Sequence, residues 1–71
     1  MTPQQMLETQ IEEAWISFNE IATEEEEEGY SDAMLSMDRT RAEGYAEGLA
    51  YAYRLIYDKE FTPKFEIHEA Y

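Results

Sequence analysis

Ile21-Ala22-Thr23-Glu24-Glu25-Glu26-Glu27-Glu28-Gly29-Tyr30-Ser31-Asp32-Ala33-Met34-Leu35 contains the break on which the fold turns. Apolar residues recur at helical spacing on both sides of it, and the break itself holds five acids, a glycine and residues suited to capping. Gly29 fits a helix C-terminus, because a residue without a Cβ enters the left-handed region at little cost. Ser31 is expected to cap a second helix, with Tyr30 and Leu35 in the two staple positions around it. Acids at a helix C-terminus oppose the macrodipole by ~0.3–1 kcal/mol per exposed group, and neighbouring carboxylates repel each other. Residues 24–31 are therefore expected to form an acidic turn that frays.

Upstream, Thr2, Pro3 and Gln5 make a helix start of the capping-box type, with proline at the first helical position. Leu7, Ile11, Ala14, Phe18 and Ile21 follow at steps of four and three, with Trp15 and Ala22 beside them. This is the seam of a helix that packs on one side. Its next position is Glu25, a charge where an apolar residue is required, so packed helix is expected to stop near Ala22. The first helix is placed at residues 3–24.

Downstream, a second helix is placed at residues 32–57. Leu35, Ala42, Ala46, Leu49, Tyr53 and Ile56 form one stripe, and Met34, Tyr45, Ala52 and Leu55 an adjacent one. Two stripes are more than one short partner helix can bury. Gly44, Gly48 and Ala52 lie four apart, so another backbone can approach closely there, whether the first helix or a second copy. Tyr45, Gly44, Gly48, Leu49, Ala52, Tyr53 and Ile56 are the expected packing or dimer residues. After Pro63, Phe65 and Ile67 alternate with Lys64, Glu66 and His68, which predicts an extended tail (residues 59–71) folded back on the hairpin or pairing with a copy of itself. The expectation is one all-α domain over residues 1–71, an antiparallel helical hairpin that dimerises into a four-helix bundle.

Composition narrows the function. The chain has 71 residues, 17 acids against five bases, a net charge of −12 and no cysteine. A core this small supplies only ~3–5 kcal/mol, and neither disulfides nor thiolate zinc can supplement it, which favours self-association. The charge opposes direct binding to nucleic acid or anionic lipid. Nothing in the sequence reads as a membrane span or a signal peptide, so a cytoplasmic setting is expected. Eleven acids and no Lys or Arg lie in residues 1–38, whereas all five bases and six acids follow Asp38.

The acids of the first helix form the most informative pattern. Glu8, Glu12, Glu20, Glu24 and Glu28 follow i+4 steps broken by Ile16, with Glu13 and Glu27 nearby. Side chains so spaced stand ~5–6 Å apart, comparable to the phosphates along one strand of a duplex, which recur every ~3.4 Å of helix axis. Such a face approximates the charge of DNA; the competing reading is an ordinary solvated surface. Ile16 within it is either an isolated exposed side chain or an apolar anchor for a partner with a basic rim.

Catalytic signals are weak. Ser17, Ser31, Ser36 and His68 form no specific nucleophile–base arrangement, and no catalytic residue is assigned. His68 reads as a surface histidine. Glu12 or Glu13 with Glu43 and Glu47 offers an oxygen site for magnesium, reminiscent of all-α nucleotide pyrophosphohydrolases. Glu24-x-x-Glu27 and Glu25-x-x-Glu28 match that motif only inside the acidic run, and its second half is missing. No metal ligand or cofactor is assigned.

The stretch Arg39-Thr40-Arg41-Ala42-Glu43-Gly44-Tyr45-Ala46-Glu47-Gly48-Leu49-Ala50-Tyr51-Ala52-Tyr53 resembles segments of small acidic bacteriophage accessory proteins. That resemblance implies a direction: such proteins include inhibitors of host defence, some of them DNA mimics acting against restriction, CRISPR or repair enzymes. It brings no functional residue with it. The expected function is therefore non-enzymatic binding of a host protein with a basic, nucleic-acid-binding surface, through Glu8, Glu12, Glu13, Ile16, Glu20, Glu24, Glu27 and Glu28. The alternatives are a structural or adaptor protein acting by helical assembly, and a magnesium-dependent pyrophosphohydrolase.

Overall fold

The Thr2 hydroxyl accepts from the Gln5 amide at 3.1 Å, and the Gln5 side chain accepts from the Thr2 amide at 3.0 Å. Two of the amides left unpaired at a helix start are thereby satisfied. From this box runs α1 (Pro3–Glu27), followed by α2 (Ala33–Tyr57), in a computed structural model that describes residues 1–68. Glu25 meets Arg39 beside the turn, while Gln4 and Glu8 meet Tyr53 at the far end. The two helices are therefore antiparallel, and the fold is an all-α hairpin. The last positions of the expected tail, 69–71, lie outside the described residues.

The turn corrects two expectations. α1 does not end near Ala22 or Glu24 but continues through Glu27. It then closes in a Schellman motif, with the Tyr30 amide donating to the Glu25 carbonyl and the Gly29 amide to that of Glu26. Gly29 has a φ of +69°. Adding a Cβ there meets no neighbour within 4 Å, so only the backbone resists substitution. Gly29→Ala should cost ~1 kcal/mol and lower the melting temperature by about 4–8 °C in a domain of this size. Thermal unfolding followed by circular dichroism reads this directly.

The cap of α2 is Asp32, not Ser31. The Asp32 carboxylate accepts from the Met34 amide at 2.9 Å, whereas the Ser31 hydroxyl donates back to the Glu28 carbonyl. Ser31 thus finishes the first helix and Asp32 starts the second. With the cap moved by one residue, the flanking positions become Ser31 and Ser36, and the Tyr30–Leu35 staple has no place.

Ile11, Ala14, Trp15, Phe18 and Ala22 of α1 pack with Ala46 and Tyr53 of α2 as the fully buried core. Trp15 and Phe18 meet edge to face, with centroids 5.4 Å apart. The seam expected on α1 is therefore the buried one, with Leu7 and Ile21 half-buried at its margins. Three of these seven core residues are alanines, so the core is thin for its length. The tail supplements it: Phe61, Phe65 and Ile67 pack against the core, and Pro63 is buried. Lys64 and Glu66 point outward, as a period of two requires.

Asn19 fastens that tail. Its amide nitrogen donates to the Glu66 carbonyl at 3.0 Å, and its oxygen accepts from the His68 amide at 2.7 Å. One side-chain amide thereby satisfies two backbone groups that have no helix or sheet to pair with. Among the described residues the tail forms no strand.

Candidate functional site

An α-helix turns ~100° per residue, so each i+4 step advances ~40° around the axis. The path Glu8–Glu12–Ile16–Glu20–Glu24–Glu28 therefore winds half-way round α1 and does not stay on one face. The environments of these residues show the winding. Glu8 is half-buried on the flank that meets α2, where its carboxylate accepts from the Tyr53 hydroxyl. That hydroxyl in turn accepts from Gln4 Nε2 at 3.0 Å. Glu8 thus belongs to the packing between the helices.

The residues that share the outward side are Glu13, Glu20, Glu24 and Glu27, with Ile16 among them. All four acids are exposed, and Ile16 is 45% exposed. Glu20, Glu24 and Glu27 border a shallow depression with Asn19 and Thr23. Glu12 is half-buried toward one flank and Glu28 is exposed at the turn. From Glu12 to Glu28 the rise is ~24 Å, and six outward or flanking carboxylates fall within it. One strand of duplex DNA carries ~7 phosphates over that length.

The glutamate run is divided residue by residue. Glu24, Glu27 and Glu28 face solvent, while Glu25 is 1% exposed and accepts a hydrogen bond from Arg39 Nε at 2.5 Å. Glu26 pairs with His68 Nε2 at 2.7 Å. His68 is therefore a tail anchor, held at its backbone by Asn19 and at its ring by Glu26. The Glu25–Arg39 pair and the Asn19 clamp escaped the sequence reading. Both join residues distant along the chain, and only the i, i+7 continuation of the seam to Glu25 hinted that this position faces inward.

No protein-family model, curated protein or solved structure matches the chain. Among the described residues, none of the outward acids Glu13, Glu20, Glu24 and Glu27 has a cationic partner; the ion pairs of α1 engage Glu25 and Glu26. Nor is any group of three or more Asp, Glu or His side chains placed to hold a metal ion. The oxygen site weighed for Glu12 or Glu13 with Glu43 and Glu47 is thus not assembled among the described residues; Glu13, although exposed, borders a groove with Ala42 and Tyr45 of α2. No helix among these residues is long and apolar enough to cross a membrane.

The expected packing residues of α2 divide. Tyr53 is fully buried and Leu49 and Ala52 are half-buried, but Tyr45, Gly44, Gly48 and Ile56 are exposed. The first helix does not lie on the glycine strip, since a Cβ at Gly44 or Gly48 meets nothing within 4 Å.

Proposed function

We propose that the protein is a non-catalytic inhibitor or regulator that presents the outward face of α1 to a basic, nucleic-acid-binding surface of another protein. In the bacteriophage setting that the sequence resembles, the partner is a cytoplasmic host factor of defence or nucleic-acid processing. The observation that carries this reading is the exposed set Glu13, Glu20, Glu24 and Glu27 along one helix, in a half-chain with no Lys or Arg before Arg39. A one-sign field of this kind speeds encounter with a basic surface and leaves competing acidic partners repelled. Ile16 supplies an apolar anchor inside the charged ring, where a partner displaces water from it. A second reading, an adaptor acting by helical assembly, draws support from the exposed apolar side of α2 described below.

The test is affinity capture from a host lysate, followed by binding measurements with the captured partner. Glu13, Glu20, Glu24 and Glu27 changed together to Gln should weaken binding by roughly 100-fold, at about 0.7 kcal/mol for each rim charge removed. Glu8 is left intact, since removing it disturbs the Tyr53 hydroxyl instead. Binding should also weaken steeply as salt is added and compete with duplex DNA. Unchanged affinity in the fourfold variant would leave the face a solvated surface only.

A further inference from the structure

α2 carries an exposed apolar side, whose margins Tyr45 and Tyr51 border α1 and the tail. Met34, Met37, Tyr45, Tyr51, Leu55 and Ile56 are each more than half exposed, between 56% and 66%. Helical geometry gathers them around the strip of Gly44, Gly48 and Ala52, on the side turned from the core residues Ala46 and Tyr53. Each mid-helix glycine weakens a helix, and among the described residues a Cβ at either would meet nothing within 4 Å in return. The charges on this side are Arg41 and Asp38, three residues apart, with Arg54 over the Tyr51 ring at one margin and Glu13 beside Tyr45 at the other, so the opposite signs offset and the face is close to neutral. On a chain of net charge −12 that neutrality is local to α2.

We infer that this face is the contact between two copies of the chain, α2 against α2 about a two-fold axis near Gly48. Two observations select a second copy as the occupant. The first is extent: these six apolar side chains, each more than half exposed, run along α2 from Met34 to Ile56, ~33 Å of helix, whereas apolar residues scattered singly are the norm on a monomer's surface. The second is charge. A basic protein is drawn to the outward acids of α1, not to a neutral helix, and nucleic acid is repelled from the whole molecule. Two copies meeting through α2 keep their acidic faces on opposite outer sides of the assembly. An antiparallel pairing about Gly48 sets Gly44 of one copy against Ala52 of the other, which lets the backbones approach closely. The contact is isologous and closes at two copies. It stands independently of what the acidic face binds.

Sedimentation equilibrium of the full chain across a wide concentration range tests this, with Gly48→Glu and Leu55→Lys as variants. The wild type should sediment at twice the 8.4 kDa chain mass at high micromolar concentration. Gly48→Glu places a charge at the centre of the contact, in a position open in the single chain, and glutamate forms helix better than glycine. Both variants should keep helical circular dichroism and dissociate at least 100-fold more readily. A wild type that stays at the single-chain mass at every concentration overturns the inference. So does a doubled mass that neither substitution changes.

Discussion

Glu25→Ala should leave the chain largely unfolded at room temperature. Glu25 is 1% exposed and Arg39 9%, and they meet at 2.5 Å across the helix pair. Removing one partner of a buried pair typically costs 3–5 kcal/mol, because the remaining charge has lost the group that compensated its desolvation. A single small core supplies about the same amount in total. The double variant Glu25→Leu, Arg39→Met should instead fold, with stability within ~1 kcal/mol of the wild type or above it, since apolar replacements of similar volume avoid the desolvation altogether. Urea unfolding of the single and double variants separates these outcomes. A single variant with an unchanged midpoint would show that the pair does not hold the helices together.

The second large effect is expected at Tyr53. Its ring is 1% exposed and lies 4.9 Å from Tyr57 and 5.7 Å from Phe61, joining α2 to the tail. Its hydroxyl joins α2 to α1 by donating to Glu8 and accepting from Gln4. Tyr53→Ala removes the largest fully buried side chain and should cost about 3–5 kcal/mol, enough to abolish cooperative unfolding. Tyr53→Phe keeps the ring and loses the hydroxyl. Its cost should be about 1–3 kcal/mol, because the Glu8 carboxylate is left half-buried without its donor. Glu8→Gln, which keeps an acceptor at the same place, should cost less than Tyr53→Phe. The reverse order would show that Glu8 acts through its charge and not as an acceptor for Tyr53.

Local signals in the sequence proved the most legible. The capping box at Thr2 and Gln5, the seam from Leu7 to Ile21 and the helical period of α2 depend on neighbours within a few residues, and each is found as read. The alternation likewise marked Phe65 and Ile67 as tail residues that pack, but not Phe61 or Pro63, and it placed His68 outward where the ring is half-buried. Two readings failed, one to a contact distant along the chain and one to the local shape of the turn. A glutamate in a seam position looks like the end of packing only while Arg39, 14 residues away, is left out of account. With that guanidinium facing it, the charge can be buried and the helix runs on. The cap of α2 differs by one residue because Ser31 and Asp32 are both good capping types. Ser31 is already engaged with the Glu28 carbonyl, a choice that depends on the shape of the turn.

The acidic site was legible in composition but not in outline. Spacing by four suggests one stripe, yet the accumulated ~40° steps carry Glu8 to one side of the helix and Glu28 toward another. Glu13 and Glu27 lie off that spacing and are nevertheless members of the outward set. A face that holds over several turns needs steps of three and four in alternation, and Glu13, Glu20, Glu24 and Glu27 satisfy this with steps of seven, four and three.

Five consecutive glutamates look like a run whose length is free to drift, and the turn that follows makes it otherwise. Inserting a sixth glutamate would change no identity at positions 25 or 26: the buried acid would still be glutamate, and so would the one beside His68. The damage would fall downstream. Gly29, the Schellman closure and the start of α2 would all be carried ~100° around the axis of α1 and ~1.5 Å along it. Arg39 would then approach the buried carboxylate from the wrong side. Deleting one glutamate turns the exit the other way. The run therefore tolerates exchange of its outward members more readily than any change in their number, and its length acts as a spacer that sets the phase of one helix against the other.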